Sequence, residues 1–197
     1  MSKTAILLSG GMDSIALAYW MRPEMAITIN YGQKPFQAEL NASKEVARAV
    51  GMEHIVIEID CSALGSGIMS DKGTRSIAPT QEWWPYRNQL LVTLAAMKVI
   101  HLGVTELMLG TVRTDGIHKD GTKAFYESIS SLMLLQEGAI RITAPAIDIT
   151  TEELIRVSKV PESLLLWAHS CHVSNNPCGL CPGCIKYREV RHNLGIE

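Results

Sequence analysis

A chain of 197 residues, 47% hydrophobic and 19% charged, is long enough for one domain with a real core, or one domain plus a small appendage. Its formal net charge of -2 argues against a long nucleic-acid surface or an anionic membrane partner. No apolar run approaches the ~20 residues of a membrane span. The apolar part of "MSKTAILLSGG" is too short for a signal peptide, so a cytoplasmic protein is expected.

Short apolar runs rich in β-formers alternate with helical patterns, which predicts βαβ units around a parallel sheet. The first strand, residues 4–8, runs into "SGGMDS" at 9–14. Two adjacent glycines let the backbone turn sharply and approach a ligand, and "IALAYWM" continues as an apolar helix behind a capping Ser or Asp. A strand, a glycine turn and a helix N-terminus together bind anions, because free N–H groups and the helix dipole point at the turn. A tight turn without a ligand is the plain alternative. The loop is neither a Walker A sequence nor G-x-G-x-x-G. Lacking a P-loop lysine, it would hold phosphate by backbone N–H groups and the Ser9 and Ser14 hydroxyls. Asp13 would serve as a helix cap or, indirectly, a magnesium contact. A nucleotide there would lie at the carboxyl ends of the strands.

Further strands are predicted at 25–30, 54–59, 106–110 and 140–143. Helices are expected in "QAELNASKEVARAV", in "RNQLLVTLAAMKVIHLG" and over 123–136. In the second of these, Leu90, Leu91, Leu94, Met97 and Lys98 follow helical spacing and Gly103 is a natural C-cap. "DITTEELIRVSK" carries a capping pattern, Thr150 or Thr151 ahead of Glu153. Residues 61–85 break the pattern and read as a functional or mobile loop. Trp83 and Trp84 at its end either stack on a flat heterocycle or cover the core or an interface, the latter being the simpler role. The tail reads as loop up to Gly183, then helix in "CIKYREVRHNLG". The division expected is 1–160 as an α/β domain and 161–197 as a zinc-binding tail packed on it.

Cysteine usage is uneven. Cys61 stands alone as a small apolar residue, whereas Cys171, Cys178, Cys181 and Cys184 fall within one Gly/Pro-rich stretch. In a reducing compartment such clustering points to metal rather than disulfides. Four thiolates at these spacings close a tetrahedral zinc site without an open position, which makes its role structural. His169 and His172 flank Cys171 and are the competing ligands.

These motifs in order, S-G-G-x-D-S, "INYGQKP", "WPYRN", "APAIDITTEELI" and the cysteine tail, resemble the 7-cyano-7-deazaguanine synthase (QueC) branch of the PP-loop ATP pyrophosphatases over almost the whole chain. The resemblance implies an adenine-nucleotide α-hydrolase-like, Rossmann-like parallel sheet with helices on both faces. It implies an ATP site at Leu8, Ser9, Gly10, Gly11, Met12, Asp13, Ser14, Tyr31, Gly32, Gln33, Arg87 and Asn88, with Ser9, Asp13, Ser14 and Arg87 catalytic. From the residues alone, Arg87-Asn88 reads equally well as a solvated arginine beside an N-cap, and Tyr31 to Gln33 as a polar turn. The family's substrate loop resembles Y-P-D-C-R-P-E-F, where this chain has "HKDGTKAF". Asp120 and Phe125 keep their places and Asp115 matches an upstream aspartate. Gly121 and Thr122 stand where the family has Cys and Arg; Lys119 and Lys123 are the available substitutes for the lost charge, although no lysine is a bidentate fork. A solvated loop leading into a helix explains the same residues.

The resemblance further implies ATP, Mg²⁺, one structural Zn²⁺ and a homodimer. The carboxylate of 7-carboxy-7-deazaguanine would be adenylated and ammonia would give the amide, then the nitrile. The altered loop leaves a second course, transfer of the activated heterocycle to an amine of a partner protein with arrest at the amide. A non-catalytic zinc-containing adapter and sulfur transfer to tRNA are the remaining classes. The intact "SGGMDS" argues against the first, the near-neutral charge against both, and neither nucleic acid nor membrane is expected as a partner.

Overall fold

The computed structural model describes residues 3–196. Its strands, β1 (Lys3–Leu7), β2 (Met25–Asn30), β3 (Glu53–Glu58), β4 (Val104–Leu109) and β5 (Arg141–Thr143), form one parallel sheet in the order β3-β2-β1-β4-β5. All five strands were expected, with bounds displaced by up to two residues where the apolar run and the hydrogen-bonded ladder do not coincide. β2 falls on its expected bounds.

Side chains alternate across the central strands. Ile6, Leu8, Ala26 and Met108 enter one core, and Ala5, Met25, Ile27 and Leu107 the other. The first core is closed by α1 (Met12–Met21), α2 (Phe36–Val50), α5 (Thr151–Ser158), α6 (Glu162–Leu165) and α7 (Pro182–Leu194). The second is closed by α3 (Arg87–Val99) and α4 (Lys123–Leu134). Helices on both faces of a parallel sheet give the Rossmann-like α/β architecture expected.

Local outcomes follow from chain chemistry. Thr150 caps α5, its hydroxyl accepting from Glu153 N–H while Glu153 accepts from Thr150 N–H, a reciprocal capping box. Gly103 ends the turn after α3 with φ 79, as expected. The buried face of α3 is Val92, Ala95, Ala96 and Val99; Met97 and Lys98 face solvent, and Leu90, Leu91 and Leu94 pack only in part. Valine and alanine make the face that is fully buried against the core, and the larger leucines flank it. α4 ends at Leu134, short of Gln136, and α7 begins at Pro182, since proline suits a first helical turn. Two short 3-10 turns, Ser62–Leu64 and Gly67–Met69, punctuate the loop after β3. Trp84 sits in the core edge-on to Tyr31 at 4.9 Å, and Cys61 is buried beside them.

The tail folds back across the sheet face. Tyr187 and Leu194 pack around Val190 on the first core. Farther up, the Asn175 side-chain oxygen accepts the Ala38 N–H at 3.0 Å, in the first turn of α2, whose own N-cap, Pro35, offers no side-chain bond. Among the described residues no helix is long and apolar enough to cross a membrane.

Candidate active site

The chain moves outward from β1 to β2 and β3, then crosses back to β4 on the other side of β1. The loops after β1 and β4 therefore diverge, and open α/β sheets bind ligands in the crevice this leaves. A cleft of about 480 Å³ occupies that place.

Its floor is "SGGMDS", of which every residue except Gly10 lines it. Leu8, at the end of β1, is fixed by Thr28 and Ser43, whose hydroxyls both donate to its carbonyl, at 2.8 and 2.9 Å. Gly10 then turns with φ +77, and a β-carbon there would stand 2.7 Å from the Glu39 carbonyl. Gly11 is the N-cap of α1 in extended conformation. Ser9 and Ser14 hydroxyls lie 3.2 Å apart, and Ser14 donates to the Gly11 carbonyl at 3.0 Å. The early N–H groups of α1, from Met12, Asp13 and Ser14, have no carbonyl one turn back within the helix and face this turn. From the β4 side Gly110 closes against the Ser14 backbone.

Asp13 does not cap α1, a correction to the sequence reading: the cap is Gly11 and makes no side-chain bond. Its Oδ2 instead accepts from Lys186 Nζ of α7 at 2.9 Å, with Asp115 Oδ1 3.7 Å from the same ammonium. Asp13 Oδ1 is buried with no hydrogen bond of ordinary geometry among the described residues, and the Thr151 hydroxyl, likewise buried and unbonded, is the polar group near enough to favour its charge. Burial raises the Asp13 pKa; Lys186 opposes this and Asp115 adds to it. Burial works against the Lys186 charge, but Asp13 and Asp115 outweigh it and leave its pKa raised.

Arg87, Tyr31, Gln33 and Glu39 make a further part of the cleft. Gln33 spends its amide inside the protein: its oxygen accepts Tyr31 N–H at 2.9 Å, and its nitrogen donates to the Ile29 carbonyl at 3.0 Å and to Glu39 at 2.8 Å. Burial pushes Glu39 up to about 7, against the Gln33 hydrogen bond and the Arg87 charge. Gly32, with φ 98, shapes the turn but does not line the cleft. Asn88 does not cap α3, a second correction. Tyr86 occupies the N-cap, and Asn88 gives its backbone N–H to Asp120 Oδ2 at 3.2 Å and its side chain to the Asp120 carbonyl at 2.8 Å.

Of the substrate-loop residues, Asp115 and Asp120 line the cleft, while Lys119, Lys123 and Phe125 do not. Lys123 pairs with Asp148 at 2.6 Å, and Phe125 packs edge-on against Tyr126. The loop carries its lysines outward because Thr122 caps α4 and commits Lys123 to the exposed first turn. Sequence reasoning missed Lys186, Gly110, and the pair Glu82–His118, 3.7 Å apart in the cleft wall, where His118 holds the Glu82 carboxyl at about 2. Lys186 had a signal, its place two residues after Cys184 in a helix starting at the cysteine loop. Gly110 and Glu82 had none.

The Sγ atoms of Cys171, Cys178, Cys181 and Cys184 lie within 4.8 Å of one another, with Cys178–Cys184 and Cys171–Cys181 each at 4.0 Å. Tetrahedral Zn–S bonds of ~2.3 Å put sulfurs about 3.8 Å apart, so the set fits such an ion. Backbone N–H groups of His172, Cys178 and Cys181 point at Cys181, Cys171 and Cys178 sulfurs at 3.3, 3.5 and 3.4 Å, the donors a thiolate cluster wants. Neither histidine joins the cluster; His169 bonds the Ser174 carbonyl through Nε2 at 3.0 Å and gives its backbone N–H to the Gly10 carbonyl at 2.9 Å. The cysteine segment thus touches the glycine loop directly.

The chain matches the family described as "Queuosine biosynthesis protein QueC" over residues 3–193. It is 27% identical to the 7-cyano-7-deazaguanine synthase of Methanobrevibacter smithii, covering 96% of this chain and 93% of that one. It is 28% identical to the synthase of Chlorobaculum parvum, over 98% and 93% of the two chains. Among solved structures it resembles NMN synthetase from Francisella tularensis with TM-score 0.54 at 17% identity, over 100% of this chain and 78% of that one, a likeness of fold.

Proposed function

From the premise that the chain belongs to the QueC family of queuosine biosynthesis proteins, we propose that it adenylates the carboxylate of 7-carboxy-7-deazaguanine with ATP. Ammonia then converts the product to the amide and, with a second ATP, to the nitrile. The observation that carries this reading is the glycine turn at the head of α1, opening into the cleft where β1 and β4 diverge.

A substrate carboxylate oxygen attacks the α-phosphorus, the bond from that phosphorus to the bridging oxygen breaks, and pyrophosphate leaves with the electron pair. Free N–H groups of α1 and the Ser9 and Ser14 hydroxyls hold the phosphates in line. Arg87 offsets negative charge as pyrophosphate departs. Tyr31 bounds the adenosine part, with Gln33 holding its loop. Ammonia adds to the acyl carbon, loses a proton, and AMP leaves. The amide oxygen is adenylated in turn, and loss of AMP with the two N–H protons gives the nitrile.

The cleft carries Asp13, Glu39, Glu82, Asp115 and Asp120 against Arg87 and Lys186. An anionic nucleotide in so acidic a cleft needs a divalent cation, and Asp13 Oδ1, uncommitted and buried, is the oxygen suited to it, with Asp115 beside it. Magnesium supplies neutralisation of phosphate charge when bound. Zinc is the proposed ion of the four cysteines.

Mass analysis of products from ATP, Mg²⁺, 7-carboxy-7-deazaguanine and ammonium tests the reading. Nitrile and AMP are expected; no AMP overturns adenylation. A second reading is favoured by the outward placement of Lys119 and Lys123, which leaves the substrate loop without a cation in the cleft. In it the acyl-adenylate meets an amine of a partner protein and the reaction stops at the amide, so amide without nitrile would be the product from ammonium.

A further inference from the structure

Helix α7 begins with Cys181 at its N-cap and turns by about 100° per residue. On that spacing Pro182 and Lys186 share a face, while Cys184 points roughly 160° away from Lys186. The contacts agree: Pro182, Gly183 and Lys186 line the cleft, and the Cys181 and Cys184 sulfurs belong to the cluster behind it. Two sulfurs held on one side fix the roll of the helix, and so fix where the Lys186 stem leaves it.

That stem ends in the first turn of α1, 2.9 Å from Asp13 Oδ2 and 3.7 Å from Asp115 Oδ1. Free N–H groups of α1 converge there, yet "SGGMDS" contains no lysine. Among the described residues lining the cleft, the other Lys or Arg is Arg87, which reaches it from the start of α3 among Tyr31, Asp120, Glu39 and Asp115, and not from beside Asp13 at the head of α1. We infer that Lys186 is the phosphate-binding lysine of this cleft, delivered by the cysteine-cluster helix in place of one from the glycine loop. This rests on the adenylation reading. An ammonium has three donors, so one N–H keeps Asp13 while the others meet phosphate oxygens. The carboxylates hold the chain extended toward the phosphates and reduce the rotamer entropy lost on binding.

Titration calorimetry of the full chain with inorganic pyrophosphate and Mg²⁺ tests the inference, using Lys186→Met, Lys186→Arg and Lys98→Ala. Lys98 lies exposed on α3, outside the cleft, and removes the same charge. Lys186→Met should bind pyrophosphate about 10-fold or more weakly, the loss of one charge-assisted contact. Lys186→Arg should return to within about 3-fold of the parent, because the charge is kept at nearly the same reach. Metal content should be unchanged in both, and Lys98→Ala should bind like the parent. Pyrophosphate affinity of Lys186→Met within about 2-fold of the parent, with a lowered melting temperature, would make the lysine a structural partner of Asp13 and overturn the inference. Should Lys186→Met misfold, the neutral Lys186→Gln is read in its place, and parental pyrophosphate affinity in that variant would overturn the inference equally. If the parent itself binds no pyrophosphate, the adenylation reading falls along with the lysine; equal binding by parent and variant removes the lysine alone.

Discussion

Gly110 lies against the backbone of Ser14: a β-carbon on it would stand 2.9 Å from Ser14 Cα and 3.0 Å from Ser14 N. No flexible side chain is available to give way, so Gly110→Ala must displace the first turn of α1. The expected cost is about 1–3 kcal/mol of stability. The larger effect should be on ATP–pyrophosphate exchange, because misplacing a binding group by about 1 Å can cost ~10²-fold. A variant with parental exchange would show that the loop is not the phosphate site.

Ser14 is buried, and its hydroxyl ties the loop to the Gly11 carbonyl. Ser14→Ala should cost about 1 kcal/mol in urea unfolding, the net worth of one hydrogen bond. Adenylation, followed as pyrophosphate release, should fall by about 10² or more, as when a preorganised donor is removed. Asp13→Ala should abolish release while the protein stays folded and metal-loaded. Retained turnover in either would contradict the assignment.

Cys181 is buried within the sulfur cluster. Cys181→Ser should lose metal and stability together, since metal affinity here is folding free energy. A loss of about 2 kcal/mol corresponds to roughly 4–8 °C in melting temperature for a chain of this size. Metal analysis and calorimetry on one preparation check this, and a fully metallated, equally stable variant would refute a four-thiolate centre.

Glu39 gives a pH signature. Its pKa rises from 4.5 to about 7 in the folded protein, chiefly through burial. Between those values the folded state holds the extra proton, so stability is fully present below 4.5 and declines as pH rises through about 7. The slope from this group is at most about 1.4 kcal/mol per pH unit. Glu39→Gln keeps an acceptor for the Gln33 amide and should flatten urea midpoints between pH 5 and 8. An unchanged slope would mean that Glu39 is ionised throughout.

The five strands, the glycine turn and the cysteine set were legible because each rests on local chemistry: apolar runs, glycine's freedom to turn and ligand spacing. Trp84 and Thr150 were legible for the same reason. What was not legible came from long-range approach. Lys186 meets Asp13 across 173 residues, and Asn88 meets Asp120 across 32. Nothing in "YRN" says that its asparagine side chain will donate to the Asp120 backbone carbonyl rather than cap a helix. Lys123, turned outward by the Thr122 cap, meets Asp148 beyond the end of its own helix.

The Asn175 side-chain oxygen that receives the Ala38 N–H sits between Cys171 and Cys178, 137 residues along the chain from its donor. Helix α2 is thus finished by a side chain translated long after it. Until that segment is in place, the Ala38 N–H has only the Pro35 carbonyl, at 3.1 Å, within its own turn. Docking of the cysteine segment closes the glycine loop and the start of α2 together, through the bonds it makes to Gly10 and Ala38.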